Sequence, residues 1–152
     1  MSRLTEEVRE MTTLKSLIAS TLVLTLLVVA GCASAPQKSP EEQIRDTIAK
    51  WTATLKAQDV DGCMTYFSDQ FTNYSWGDKE GAREFIQDAK DTGLLEDLDI
   101  STDAMEITFD GSDRARLYPI DITGSFGTLT FDVTVVKEKD GWKVIGLSAP
   151  GL

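Results

Sequence analysis

The spacing of apolar positions changes along this chain, and each change marks a boundary. A near-continuous apolar run covers Leu17 to Ala30, short for a comfortable bilayer span and of the length of a secretory h-region. Ala33 to Ser39 is small and polar, with a proline, and reads as a flexible tether. Ile44, Ile48, Trp51 and Leu55 then recur at helical spacing, which predicts an amphipathic helix from about Pro40 to Ala57. Ser39-Pro40-Glu41-Glu42 supplies its start, a capping box with proline at the first helical position. Asp59 caps a predicted second, short helix carrying Val60, Cys63, Met64 and Phe67. Ser68 to Gly77 is aromatic-rich and reads as irregular. Asp78 caps a third helix with Ala82, Phe85, Ile86 and Ala89 inward and Gly93 as its stop.

After Gly93 the period becomes two. Met105, Ile107 and Phe109 alternate with polar residues, and Asp110-Gly111 marks a turn. Arg114 to Thr123 is a second strand, in which Pro119 implies an edge position or a bulge. Gly124 and Gly127 bracket a bend. Leu129, Phe131, Val133 and Val135 form the cleanest strand face in the chain. Lys139-Asp140-Gly141 is a hairpin turn, and Trp142 to Ser148 is the last strand. Helices followed by antiparallel strands predict an α+β domain with the helices on one face of the sheet.

The end of the first apolar run carries chemistry. The string Leu27-Val28-Val29-Ala30-Gly31-Cys32 resembles the lipobox of bacterial lipoproteins. The resemblance implies a diacylglycerol thioether on Cys32, cleavage just before it, and acylation of the new amine. Each buried methylene contributes about 0.8 kcal/mol, so two or three chains would make a durable anchor. It implies a bacterial envelope location. Ala33, where an aspartate is associated with inner-membrane retention, favours the outer membrane facing the periplasm. Glu6, Glu7 and Glu10 outnumber Arg3 and Arg9, against the positive n-region of a signal, so a start at Met11, with Lys15, fits better. The expected organisation is a signal peptide over 1–31, lipidated cysteine and tether over 32–39, and one domain over 40–152.

Charge and composition narrow the partners. Residues 1–39 hold 3 of the 25 acidic and 4 of the 15 basic residues, which leaves 22 against 11 from Pro40 onward. Such a domain repels phosphate backbones, so nucleic acid is not expected. It also repels anionic lipid, so acyl chains rather than charge must hold it at a membrane. With Cys32 lipidated, Cys63 has no partner in its own chain and is expected to be a buried, inert thiol. The chain has no histidine, which removes His-dependent triads and His-ligated zinc. No cofactor or metal is expected. Asp97, Asp99 and Asp103 lack the glycine and terminal glutamate of an EF-hand loop and read as solvated.

From Glu41 to Leu147 the domain resembles the nuclear transport factor 2-like superfamily, including SnoaL-like and ketosteroid-isomerase-like proteins. The residues that carry this are the first helix with Trp51 and the passage Ala57-Gln58-Asp59-Val60-Asp61 into Tyr66-Phe67-Ser68-Asp69-Gln70-Phe71. The stretch Gly77 to Ile86 and the closing Lys139-Asp140-Gly141-Trp142-Lys143-Val144-Ile145 add to it. The resemblance implies three N-terminal helices packed on a curved antiparallel sheet, forming a cone with an interior pocket. It does not choose an activity, because the fold hosts isomerases, cyclases, dehydratases and non-catalytic binding modules.

In such a cone, Tyr66, Tyr74, Trp76, Tyr118 and Trp142, with Trp51 beneath them, are the candidate pocket residues for a small apolar ligand. For catalysis of the ketosteroid-isomerase type, an aspartate would move a proton and a tyrosine would stabilise an enolate. Asp69, Asp121 and Tyr118 are the candidates. Asp132 alternates away from Leu129, Phe131 and Val133 and should face outward. Asp121 shares the parity of Leu117, but Pro119 lies between them, so a bulge would decide its direction. Asn73-Tyr74-Ser75 matches a glycosylation sequon, for which a bacterial lipoprotein has no use. The expected function is a lipid-anchored, non-catalytic module binding a small apolar ligand or an envelope protein. The alternative is a cofactor-free isomerase or hydratase. Thr128, Thr130, Asp132 and Thr134 make the outer sheet face polar, which predicts a monomer or weak homodimer unless Arg114 and Arg116 supply partners.

Overall fold

The computed structural model describes residues 37–149. Cys32, the signal segment, the start at Met11 and most of the tether lie outside the described residues. Three helices and six strands follow in order: α1 (Pro40–Lys56), α2 (Val60–Met64), β1 (Phe67–Thr72), α3 (Lys79–Asp91), β2 (Asp99–Ser101), β3 (Glu106–Asp110), β4 (Arg114–Gly124), β5 (Gly127–Glu138) and β6 (Gly141–Ser148). Among the described residues no helix is long and apolar enough to cross a membrane.

The helix starts form where the sequence places them. The Glu42 N–H donates to Ser39 Oγ at 3.2 Å, and the Ser39 N–H donates back to the Glu42 carboxylate at 2.7 Å. Two orphan donors are thereby satisfied. Asp59 accepts from the Gly62 N–H at 2.9 Å, and Asp78 from the Glu80 and Gly81 N–H groups at 3.1 Å each. Ile44, Ile48, Trp51 and Leu55 are buried along α1. Gly93, at φ +77°, ends the turn after α3.

Two expectations for this half need correction. Phe67 does not belong to α2: it opens β1, and half of the stretch read as irregular is that strand. β1 therefore falls between the second and third helices. It pairs parallel to β6, the last strand, with Phe67 opposite Val144. Phe85 is not inward: it is 46% exposed, because it sits beside rather than on the Ala82–Ile86–Ala89 stripe.

The sheet runs β1-β6-β5-β4-β2, with β3 also pairing β4. Apart from β1 with β6, its pairs are antiparallel. β4 and β5, of 11 and 12 residues, are its longest strands. The β4–β5 register shifts between Leu117 and Ile120, and the β5–β6 register shifts between Thr134 and Val135. Such bulges bend long strands, and here they curl the sheet around α1. Pro119 is not on an edge. β3 pairs with β4 as far as Tyr118 and β2 takes over at Asp121, so Pro119 falls in the gap, where no ladder donor is missed. β2 was not expected from the sequence, since three residues show no usable period.

The bulge also reverses the parity of β4. Ala115 and Leu117 are buried before it, and Ile120 and Ile122 after it. The core joins α1, α2 and α3 to the concave face through Ile44, Ile48, Cys63, Phe71, Ala82, Ile86, Leu117, Val133, Val135 and Val144. All of these lie between residues 44 and 144, so residues 38–152 should unfold cooperatively by circular dichroism. Ile48, 1% exposed, is the sharpest test of the α1–sheet contact. Ile48→Ala should cost about 2–5 kcal/mol in urea unfolding, and a cost below ~1 kcal/mol would contradict this packing.

Candidate functional site

The curled sheet and the helices leave a cavity of ≈ 270 Å³. α1 contributes Trp51 and Leu55 to its wall, β1 contributes Phe67, and α3 contributes Phe85, Ile86 and Ala89. Leu94, Leu95 and Leu98 close one side from the segment after α3. Ile122, Leu129, Phe131 and Leu147 come from β4, β5 and β6, with Phe126 from the β4–β5 turn and Trp76 from the turn before α3. Phe85, Leu94 and Phe126 line the cavity and are also 46%, 40% and 42% exposed, so they mark its mouth.

Apart from the two indoles, no lining side chain has a hydrogen-bonding or titratable atom. The deeper indole is turned away from the space: Trp51 Nε1–H donates to Cys63 Sγ at 3.2 Å. Burial pushes the Cys63 thiol up to about 11, against the pull of that hydrogen bond. Phe67 stands edge-on between Trp51, at 6.1 Å and 74°, and Phe71, at 4.9 Å and 65°. At the mouth Trp76 stacks on Phe85, 4.3 Å between centroids and 21° between planes.

Backbone devices hold this rim. Asn73 accepts from the Ser75 and Trp76 N–H groups at 2.7 and 2.9 Å, and its amide donates to the carbonyl of Leu147. That ties the Trp76 turn to β6. Gly81 lets the same turn lie on α3: a Cβ there would stand 1.8 Å from the Trp76 carbonyl oxygen. Gly124 does the same for the opposite rim, where a Cβ would meet the Phe126 ring at 2.8 Å and Leu98 at 3.0 Å.

Of the residues expected in the pocket, Trp51 and Trp76 line the cavity. Tyr66, Tyr74, Tyr118 and Trp142 do not. Tyr66 is half-buried against the core, with its carbonyl accepting the Val144 N–H at 2.8 Å. Tyr74 projects fully into solvent from the tip of its turn. Trp142 is buried at the far end of the sheet, edge-on to Phe109 at 6.3 Å, with no partner for its indole N–H.

The candidate catalytic groups also lie elsewhere. Asp69 is exposed and accepts from Lys79 Nζ at 2.8 Å, a bond that holds its carboxyl below the usual range. Asp121 lies on the convex face and accepts from Thr130 Oγ1 at 2.6 Å. The bulge placed it there. Asp132, on the same face, binds Arg116, whose guanidinium also lies 5.7 Å over the Tyr118 ring. No aspartate–tyrosine pair faces the cavity. Among the described residues no three carboxylate or cysteine side chains converge on a point able to hold a metal.

Sequence reasoning missed most of the wall. Leu94, Leu95 and Leu98 follow a helix stop, where an apolar cluster outside any periodic element was a usable signal. Phe126, an aromatic inside a glycine-bracketed turn, was another. Asn73 gave no signal beyond its match to a sequon.

Neither a family model nor a curated protein matches the chain. Solved structures do. An NTF-2-like protein of unknown function from Shewanella oneidensis superposes with a TM-score of 0.59 at 16% identity, over 73% of this chain and 98% of its own. A protein of unknown function with a cystatin-like fold from Nostoc punctiforme gives 0.57 at 18%, over 72% and 91%. A de novo designed protein with a curved β-sheet gives 0.54 at 13%, over 71% and 99%. The chain has a nuclear transport factor 2-like fold. At these identities the likeness is one of fold, and the expected cone architecture holds.

The thiol beside Trp51 gives a direct check on how well the wall is sealed. Below about pH 9.0 the Cys63 thiol is protonated in both states. The unfolded thiol ionises first as pH rises, so stability is lost between there and about 11. In a Cys32→Ser background, Cys63 should resist a disulfide reagent at pH 8 and react stoichiometrically once denatured. Rapid native labelling would contradict the sealed packing.

Proposed function

We propose that this chain is a lipid-anchored cell-envelope protein whose nuclear transport factor 2-like domain holds a small apolar ligand without transforming it. The observation that carries the binding role is the cavity of ≈ 270 Å³ with its apolar wall and aromatic mouth. A dry apolar cavity of about 150 Å³ is already large enough to take benzene, so this one has room for a larger hydrocarbon group. A polar ligand atom placed inside would lose its water with nothing in return, at a cost of roughly 2–7 kcal/mol. The isomerase or hydratase reading draws no support from the lining, which offers no base, and whose donors are the Trp51 indole N–H, already bonded to Cys63, and that of Trp76 at the mouth.

The anchoring role rests on the Leu27–Cys32 string, with its small residues before the cysteine and a tether after it. In the bacterial envelope, at the periplasmic face of the outer membrane, the acyl chains on Cys32 would hold the domain beside a source of apolar ligands. The domain would work as a monomer or weak dimer. What supports this is the polar character of the outer face, with Thr128, Thr130 and Thr134 on it; Arg116 pairs Asp132 there, which removes part of the charge repulsion against a dimer.

Two outcomes follow. The chain should incorporate labelled palmitate and sediment with membranes, and Cys32→Ser should abolish both. Palmitate incorporation by the mutant would contradict the anchor. Dodecanol should bind the Cys32→Ser chain stoichiometrically by calorimetry, and Ala89→Trp, which fills the cavity from α3, should weaken it at least about tenfold. Unchanged dodecanol binding in a folded Ala89→Trp variant would contradict the cavity as the site.

A further inference from the structure

The mouth of the cavity is also where the domain shows most of its exposed apolar surface. Among the described residues six large hydrophobic side chains are exposed: Tyr74, Phe85, Leu94, Phe109, Tyr118 and Phe126. Contacts place four of them around one opening. Phe85, Leu94 and Phe126 line the cavity, and Phe85 stacks on Trp76, which is itself part-exposed. Tyr74 belongs to the same turn as Trp76, closed by backbone hydrogen bonds of 2.8 and 2.9 Å between Asn73 and Gly77. The other two lie away from this rim: Phe109 packs against Trp142, and Tyr118 lies under Arg116.

Scattered exposed apolar side chains are ordinary, but a ring of them around an apolar cavity marks a contact surface. Rings with an apolar body and a polar tip, as in Tyr74 and Trp76, sit well where hydrocarbon meets water. So small a rim would hold a bilayer weakly by itself. An acyl anchor on the same chain changes that, because it keeps the rim at high effective concentration beside the membrane.

The chain between anchor and domain is long enough for the rim to reach the surface. α1 begins at Pro40 and brings Trp51 and Leu55, near its other end, to the cavity wall. Leu55 therefore stands about 22 Å from Pro40 along the helix axis. Seven residues, Ala33 to Ser39, separate Cys32 from Pro40. Extended, they span about 23–25 Å. The mouth can thus face the bilayer even with α1 upright on it.

Resting on the anchor and cavity readings above, we propose that the rim of Tyr74, Trp76, Phe85, Leu94 and Phe126 docks on a lipid surface without net charge, so that the apolar ligand passes between bilayer and cavity without crossing water. The surface is zwitterionic rather than anionic because the domain carries 22 acidic against 11 basic residues from Pro40 onward, and anionic headgroups repel it.

The test uses the full acylated chain in phosphatidylcholine vesicles that contain nitroxide-labelled phosphatidylcholine, read by tryptophan emission. The chain has three tryptophans, and Trp51 and Trp142 are buried, so quenching by the labelled lipid reports Trp76. Quenching is expected, and Trp76→Phe should remove it. Adding phosphatidylglycerol should weaken it, and raising salt should restore it, since the repulsion between exposed charges is screened. Tyr74→Ser separates docking from ligand binding, because Tyr74 projects into solvent and does not line the cavity. This variant should lower the quenching and leave dodecanol binding by calorimetry unchanged. An anchored chain without Trp76-dependent quenching would overturn the docking and leave the cavity reading standing, with the rim then free for a protein partner. Quenching that Tyr74→Ser does not lower, or that phosphatidylglycerol strengthens, would also overturn it. Quenching without dodecanol binding would overturn the cavity reading, and the passage of ligand with it.

Discussion

One bulge decides the chemistry of this domain. The register shift between Leu117 and Ile120 reverses which side chains of β4 face inward. Without it Asp121 would keep the parity of Leu117 and point toward the concave side, where Ile122 now lines the cavity. A carboxylate there would be buried without a partner and would be driven toward its neutral form, the setting in which an aspartate can act as an acid or base. With the bulge, the wall stays apolar and Asp121 reaches Thr130 on the outer face. The same shift bends the sheet, so the cavity and its lack of an inward carboxylate from β4 have a common origin.

The remaining contacts keep that space dry and open. The Trp51 indole would be a polar blemish in the wall, and Cys63 accepts its hydrogen. That gives the thiol a structural role, while burial, outweighing the opposite pull of that hydrogen bond, suppresses its ionisation. At the other end, Asn73, Gly81 and Gly124 position the Trp76–Phe85 stack and Phe126 without adding bulk inside. The mouth aromatics are thus held by backbone geometry and turned partly to solvent.

Much of the fold was legible because its signals are local. The capping box at Ser39, the Asp59 and Asp78 caps, the helical spacing of Ile44 to Leu55 and the Lys139-Asp140-Gly141 turn each depend on a few adjacent residues. What was not legible depends on distant pairing. β1 is a strand because β6, some 75 residues later, offers it an edge, and its own sequence shows no clean alternation. The site suffered the same way. Tyr74 and Trp76 are two residues apart in one turn, yet one is in solvent and the other on the cavity wall, and Asn73 makes that difference. Tyr118 and Asp121 pointed to catalysis only for as long as the bulge between them had no known direction.

The central claim is that the space inside the cone, and not its outer face, receives an apolar guest. Intermolecular nuclear Overhauser effects from dodecanol methylenes to assigned methyl groups test it most directly. The account predicts contacts to Ile86, Leu95, Leu98, Ile122 and Leu129, and none to the methyls of Thr128, Thr130 and Thr134 on the convex face. Contacts confined to the convex face, or an absence of contacts at saturating dodecanol, would contradict it.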